Sequence, residues 1–216
     1  MDHEDLLYIE DAHNRKLFYR FTPAAVVSNF VPLVVILHGE EKADALHFEY
    51  KMWNVLTPLD NFGTDNSSSC WLGEKGDFFV KELLQQLIKQ VAEEYECEDD
   101  IYLYGSAIGG YGAILHGILC KANAVYAHTP RIRLLDISET DTVVKENDLS
   151  NFLNPRDSFP IFYLCDKIDS NLEDETAYFV DACQKYGISV HLDFCPNSGE
   201  DANHILKKVL DMFERE

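Results

Sequence analysis

Ile101-Tyr-Leu-Tyr-Gly-Ser-Ala-Ile-Gly-Gly-Tyr-Gly-Ala113 is the stretch on which the reading of this chain turns. Ile101 to Tyr104 is a short aromatic and apolar run, which predicts a strand. The run enters a turn crowded with glycine and leaves it as an apolar segment to about Cys120, which predicts a helix. Gly105 and Gly109 stand two residues before and two residues after Ala107. That spacing gives the backbone room on both sides of one residue, held in a tight turn at the strand's end with its side chain pointing out. The following amide, Ile108, opens the helix and can donate to a negatively charged oxygen.

A buried strand, a Gly-rich turn and a helix are the context that a G-x-S-x-G nucleophile elbow requires. Here the middle position holds Ala107, whose methyl group cannot attack a carbonyl. Ser106 does not simply replace it, because its side chain leaves the turn in another direction. Two other readings stay open. A dinucleotide-binding turn needs G-x-G-x-x-G, which Ala107 breaks, and the acidic residue expected about 20 positions on is missing from Tyr126-Ala127-His128. A plain strand–turn–helix junction without chemistry is the other.

Outward from this segment the chain alternates strands and helices. Residues 6–10 and 17–22 flank Ala12-His13-Asn14-Arg15 and predict an N-terminal hairpin. Val31 to Leu37 is a β-branched run, as in a strand buried on both faces, and ends at His38-Gly39. Trp53 to Thr57 is a further strand, followed by loop over 60–77. Asp77 reads as the N-cap of a helix over Phe78–Tyr95, with Phe79, Leu83, Leu84, Leu87, Ile88 and Val91 on one face. Strands follow at Ala124–Ala127, Pro160–Cys165 and Ile188–Phe194. Ser170-Asn171-Leu172-Glu173 reads as a capping box opening a helix to about Tyr186, and 202–215 is the last helix. Residues 131–158 are mixed and charged, an excursion that suggests a small cap. The order predicts one α/β domain over 1–216, a mostly parallel, doubly wound sheet with helices on both faces.

In the elbow's fold the acid follows a later strand and the histidine follows the last one. Asp166 and Asp169 both follow the Ile161–Cys165 strand, and Asp169 lies further out, where a loop can aim it. His204, near the start of the last helix, is the histidine within reach of the correct loop. The Gly39–Glu40 backbone is the second candidate oxyanion donor, with His38 itself structural. His47, His116, His128 and His191 carry no pattern.

The chain has 216 residues, a hydrophobic share of 46% and a formal net charge of −20. Such charge repels phosphate backbones and argues against nucleic acid or anionic membrane surfaces. The six cysteines form no CxxC pair and no His/Cys cluster with zinc spacing, so reduced thiols and no metal are expected. No signal peptide or membrane span is read, and the expected location is cytoplasmic. No cofactor is expected.

The sequence resembles α/β-hydrolase-fold proteins of bacterial surface-polysaccharide loci, including capsule O-acetyltransferases and related esterases. Tyr104–Gly117, Ala127-His-Thr-Pro-Arg-Ile-Arg-Leu134, Cys165-Asp-Lys-Ile-Asp-Ser170 and Pro196-Asn-Ser-Gly199 carry the resemblance, over roughly residues 70–204. It implies an α/β-hydrolase fold, a nucleophile position at Ala107 and the acid at Asp169. Relatives tend to read Ser-Gly-His or Ser-Gly-Gly-His where this chain has Ser198-Gly199-Glu200-Asp201, so Glu200 is an alternative base position beside His204. The resemblance leaves two functional readings. One is a serine esterase or acyltransferase acting on a small acyl ester or an O-acetylated glycan, inactive with alanine at 107. The other is a natural pseudoenzyme that binds a glycan, an acyl ligand or a protein partner.

Overall fold

The structure, a computed structural model, describes residues 6–26, 31–39, 52–74, 76–134, 144–167, 175–195 and 202–213; of these, 66, 167, 195 and 202–206 are described by their backbone alone. Eight strands form one sheet: β1 (Leu7–Glu10), β2 (Lys16–Thr22), β3 (Leu33–Leu37), β4 (Asn54–Leu59), β5 (Ile101–Ser106), β6 (Ala124–His128), β7 (Ile161–Lys167) and β8 (Val190–Cys195). Their spatial order is β1-β2-β4-β3-β5-β6-β7-β8. β1 and β2 form the predicted antiparallel hairpin, and β2 runs antiparallel to β4. From β4 through β8 every pairing is parallel. The helices are α1 (Phe79–Glu94), α2 (Ile108–Cys120), α3 (Glu175–Lys185) and α4 (Ala202–Phe213).

Period-2 alternation sends the two sides of each central strand into two separate cores. Leu33, Val35 and Leu37 of β3 join Leu103, Val125, Phe162 and Leu164 beneath α1, α2 and α3. Val34 and Ile36 face the other way, with Trp53, Tyr104 and the α4 residues Val209, Leu210 and Phe213. Helices therefore cover both faces, as the sequence order predicts. All six residues predicted for the inner face of α1 are buried.

Four local expectations are corrected. β4 runs on through Pro58 to Leu59, because its register with β3 ends at Leu56 and the proline then costs no ladder bond on that side. Residues 60–77 hold a short 3₁₀ turn at Thr64–Asn66. The N-cap of α1 is Phe78, without a side-chain bond, while Asp77 pairs with Arg15 at 2.6 Å. Cys70, Cys97, Cys120 and Cys183 are free thiols, but Cys165 is disulfide-bonded.

The described parts of the 131–158 excursion are fastened to the main body. Glu175 accepts hydrogen bonds from the amides of Ile132 (2.8 Å) and Arg133 (3.3 Å). Tyr111 donates its hydroxyl to the Glu146 carbonyl at 2.6 Å, and Lys81 pairs with the Glu146 carboxylate at 2.6 Å. Leu149, Phe152 and Leu153 join the core under the sheet. The capping box at 170–173 lies outside the described residues. No described helix is long and apolar enough to cross a membrane.

Candidate functional site

The strand order reverses direction between β3 and β5, since the chain leaves β3 toward β4 but proceeds from β5 toward β6. In open α/β sheets ligands bind at the carboxyl ends of strands at such a switch point. Two segments meet there: Gly39 after β3, and Ala107 between β5 and α2.

Ala107 has φ 50 and ψ −115. Positive φ with negative ψ is sparsely populated for any residue with a Cβ, at a cost on the order of 1–3 kcal/mol. The surroundings hold it in place. Its N–H donates to the His128 carbonyl at 3.0 Å, and its own carbonyl accepts from Tyr111 (3.2 Å) and Arg131 (3.1 Å). The turn is also closed by contact. A Cβ on Gly105 would lie 2.0 Å from the Gly109 carbonyl oxygen, and one on Gly109 would lie 2.4 Å from the Leu37 oxygen and 2.5 Å from that of His38. Both glycines are demanded by backbone packed on backbone. Ile108 is the first residue of α2, where an amide has no intrahelical acceptor.

Gly39 lies against the elbow, with a Cβ at that position 3.5 Å from the Ser106 carbonyl oxygen and 3.8 Å from its hydroxyl. The residue before it is tied down. His38 donates Nδ1–H to the Gly39 carbonyl at 2.8 Å, and its Nε2 accepts the Asp60 amide at 3.0 Å. Burial pushes the imidazole below its ordinary pKa, partly opposed by the Gly39 bond and the Asp60 charge. Asp60, at the end of β4, is fully buried. Its carboxylate accepts from the hydroxyls of Ser68 and Ser69 (2.7 Å each) and from the amides of Ser69 and Trp71 (2.8 Å each). Trp71 returns an indole N–H to the His38 carbonyl at 3.2 Å. His116, fully buried in α2, donates Nε2–H to the Trp71 carbonyl at 3.1 Å; burial lowers its pKa to about 4, so it is a neutral structural residue.

No family model matches the sequence, and no curated protein is significantly similar to it. Solved structures are similar. The Staphylococcus aureus fluorophosphonate-binding serine hydrolase F superposes with a TM-score of 0.72 at 12% identity, over 96% of this chain and 96% of that one. Thermogutta terrifontis esterase 2 does so with a TM-score of 0.70 at 15% identity, over 100% of this chain and 94% of that one. Porphyromonas gingivalis dipeptidyl peptidase 4 gives 0.71 at 12% identity over 98% of this chain, which spans only 35% of that longer protein.

The chain has the α/β-hydrolase fold. At these identities the likeness establishes the fold alone. Within this α/β-hydrolase frame Gly39 lies against Ser106, the residue before Ala107 and Ile108 in the turn. Asp166, expected just after its strand, is instead inside β7, which runs on to Lys167 because β8 pairs with it through Asp166↔Phe194 and Lys167↔Cys195. His204 is the third residue of α4 by its backbone, in agreement with its expected place near that helix's start. Glu40, Asp169 and Glu200, and the side chain of His204, lie outside the described residues. Sequence reasoning missed the Asp60 hub. The available signal was an acid ending a buried strand just before a serine-rich loop. Among the described residues no group of three or more His, Cys, Asp or Glu is placed to hold a metal ion.

Proposed function

We propose that this chain carries the ester site of a serine esterase or acyltransferase with the nucleophile position filled by alanine, so that it binds a small acyl ester without turning it over. The backbone of Ala107 carries this reading. A strained φ/ψ pair held at a strand–helix junction, beside a helix N-terminus, is costly for an ordinary connection and useful where a side chain must stand clear of the turn.

The chemistry available with serine at 107 follows from the arrangement. Its oxygen attacks the ester carbonyl while its proton passes to His204, oriented by Asp169. The tetrahedral oxygen takes hydrogen bonds from the Ile108 amide and the Gly39–Glu40 backbone. The base then returns the proton to the departing alcohol, and water or a sugar hydroxyl repeats the sequence to release the acyl group. The stretches similar to capsule O-acetyltransferases favour O-acetyl groups of a glycan as the ester.

The test is Ala107→Ser, assayed with p-nitrophenyl acetate and a fluorophosphonate probe. Hydrolysis should rise about 10³-fold or more over the parent chain, with covalent labelling at 107, and both should vanish on His204→Ala. A serine variant as inert as the parent sinks the reading. It would instead favour a binding or assembly module, to which Glu200 in place of the usual histidine already points.

A further inference from the structure

We propose that a groove at the amino edge of the sheet, between the C-terminal turns of α1 and α2, binds a small alkylamine in its ammonium form. The groove is separate from the ester site. Ile101 opens β5 and Ala107 follows its last residue, which puts about 20 Å of strand between the two.

Three observations carry it. First, the size and floor of the groove suit an apolar body. Its volume is about 470 Å³, within the roughly 300–1,000 Å³ of small-molecule sites. The floor is Ile88 and Ala92 of α1, Ile101 of β5, and Leu119 and Cys120 of α2. Burial pushes the Cys120 thiol up to about 12, so it stays neutral and packs as a small apolar group. Second, the charge at this edge is one-sided. α1 ends in Glu93-Glu94, and the loop to β5 adds Glu96, Glu98, Asp99 and Asp100. Acids at a helix C-terminus stand on the wrong side of its dipole, and neither α1 nor α2 has a base in its last turn. The loop is fixed: the Cys97 amide donates to the Ala92 carbonyl at 2.9 Å, and Nδ2 of Asn123 donates to the Asp99 carbonyl at 2.9 Å. Lys89 is the cation in the lining, and its pair with Glu93 at 3.6 Å is exposed and weak. Lys121, at the C-cap of α2, lies outside the lining. Glu98 also lines the groove, and among the described residues no cation pairs with it. Third, the amide of Gln85 has its donors spent. Its Nε2 donates to Nδ1 of His116 at 2.8 Å and to the His116 carbonyl at 3.4 Å. What Gln85 offers the groove is therefore a carbonyl oxygen, which accepts an N–H. An alkylammonium supplies the apolar chain, the positive charge and the N–H together.

The test is an NMR titration of the full chain with hexylammonium chloride at pH 7 in about 0.15 M salt. Amide shifts should saturate and should be confined to residues 85–93, 98–101 and 119–121. Methylammonium lacks the chain and should bind at least about 10-fold more weakly. Hexanoate reverses the charge and hexyltrimethylammonium has no N–H, so each should bind at least about 3-fold more weakly. Shifts scattered over the acidic surface, or a comparator that matches hexylammonium, overturn the proposal.

Three exposed positions then separate the groove from the overall charge. Glu98→Gln should lower hexylammonium affinity about 3–5-fold, and Lys89→Gln should raise it by a similar factor. Asp193→Asn removes the same charge from the exposed surface of β8, at the edge of the sheet, and should stay within about 2-fold of the parent. Equal losses in the two acid variants overturn the proposal, because attraction to the net charge of −20 alone treats both acids alike. Weaker binding in Lys89→Gln overturns it as well. None of these readouts needs turnover, so the result is independent of whether Ala107→Ser is active.

Discussion

Two neighbouring connections at the carboxyl edge of the sheet are held by opposite means. The β5–α2 turn is fixed by contact: Gly105 packs on Gly109, and Gly109 packs on the carbonyls of Leu37 and His38. The β4–α1 connection is fixed by one charge, with four donors from Ser68, Ser69 and Trp71 converging on Asp60. Both contain residues at positive φ, Ala107 in the first and Asp65, Cys70 and Trp71 in the second. Steric closure admits only glycine at set intervals and so writes a spacing into the sequence. A polar hub recruits serine hydroxyls and backbone amides; the amides can come from almost any residue and the serines need no fixed spacing, so it leaves only a compositional trace.

The contact side of this comparison predicts the largest effect. Gly105 is not among the described glycines with positive φ, so what it needs is space and not a special dihedral. Gly105→Ala should cost more than about 4 kcal/mol, because the obstacle is backbone that cannot move aside. Gly187 is the control, with φ +69 and nothing within 4 Å of a Cβ. Gly187→Ala should cost only about 1 kcal/mol, from the dihedral alone. Thermal unfolding of the two variants measures the difference, and equal losses would break the distinction between contact and conformation.

The hub predicts the next effect. Asp60→Ala leaves the Ser69 and Trp71 amides buried without an acceptor, whereas the two hydroxyls can turn elsewhere. The expected loss is about 3 kcal/mol. Asp60→Asn keeps one acceptor oxygen and should recover roughly half of it. Urea titration reads both. If Asp60→Ala stays within about 1 kcal/mol of the parent, the carboxylate is not what holds the loop.

The same contrast explains what could be read from sequence. The buried strands, the inner face of α1, the hairpin and the elbow were legible, because period, β-branching and glycine spacing are local consequences of burial and sterics. The 60–77 loop read only as loop, since nothing periodic connects Asp60 to Trp71. Asp77 looked like a cap, but a helix terminus competes for its acid with any cation brought near by the fold, and Arg15 of the hairpin wins. The anchoring of the 131–158 excursion depends on Glu175 and Lys81, both far away in sequence, and so could not be seen. At the site, the Ala107 and Ile108 positions followed from the turn itself. The choice between Asp166 and Asp169, and between His204 and Glu200, depends on loop directions that carry no such local signature.

The smallest effect is the one that joins stability to function. If the elbow is strained at Ala107, with its φ of 50 and ψ of −115, removing the Cβ should relieve it. The relief is on the order of 1–3 kcal/mol, and the extra freedom that glycine gives the unfolded chain takes back about 0.5–1 kcal/mol. Ala107→Gly should therefore raise stability by about 1 kcal/mol, or about 2–4 °C in Tm for a chain of this size. Ala107→Ser keeps a Cβ in the same backbone and should leave Tm nearly unchanged. A turn without strain reverses the first result, because glycine would then only add unfolded-state entropy and lower Tm. The glycine and serine variants thus part the two uses of this position. Glycine reports what the backbone conformation costs, and serine reports what the conformation is for.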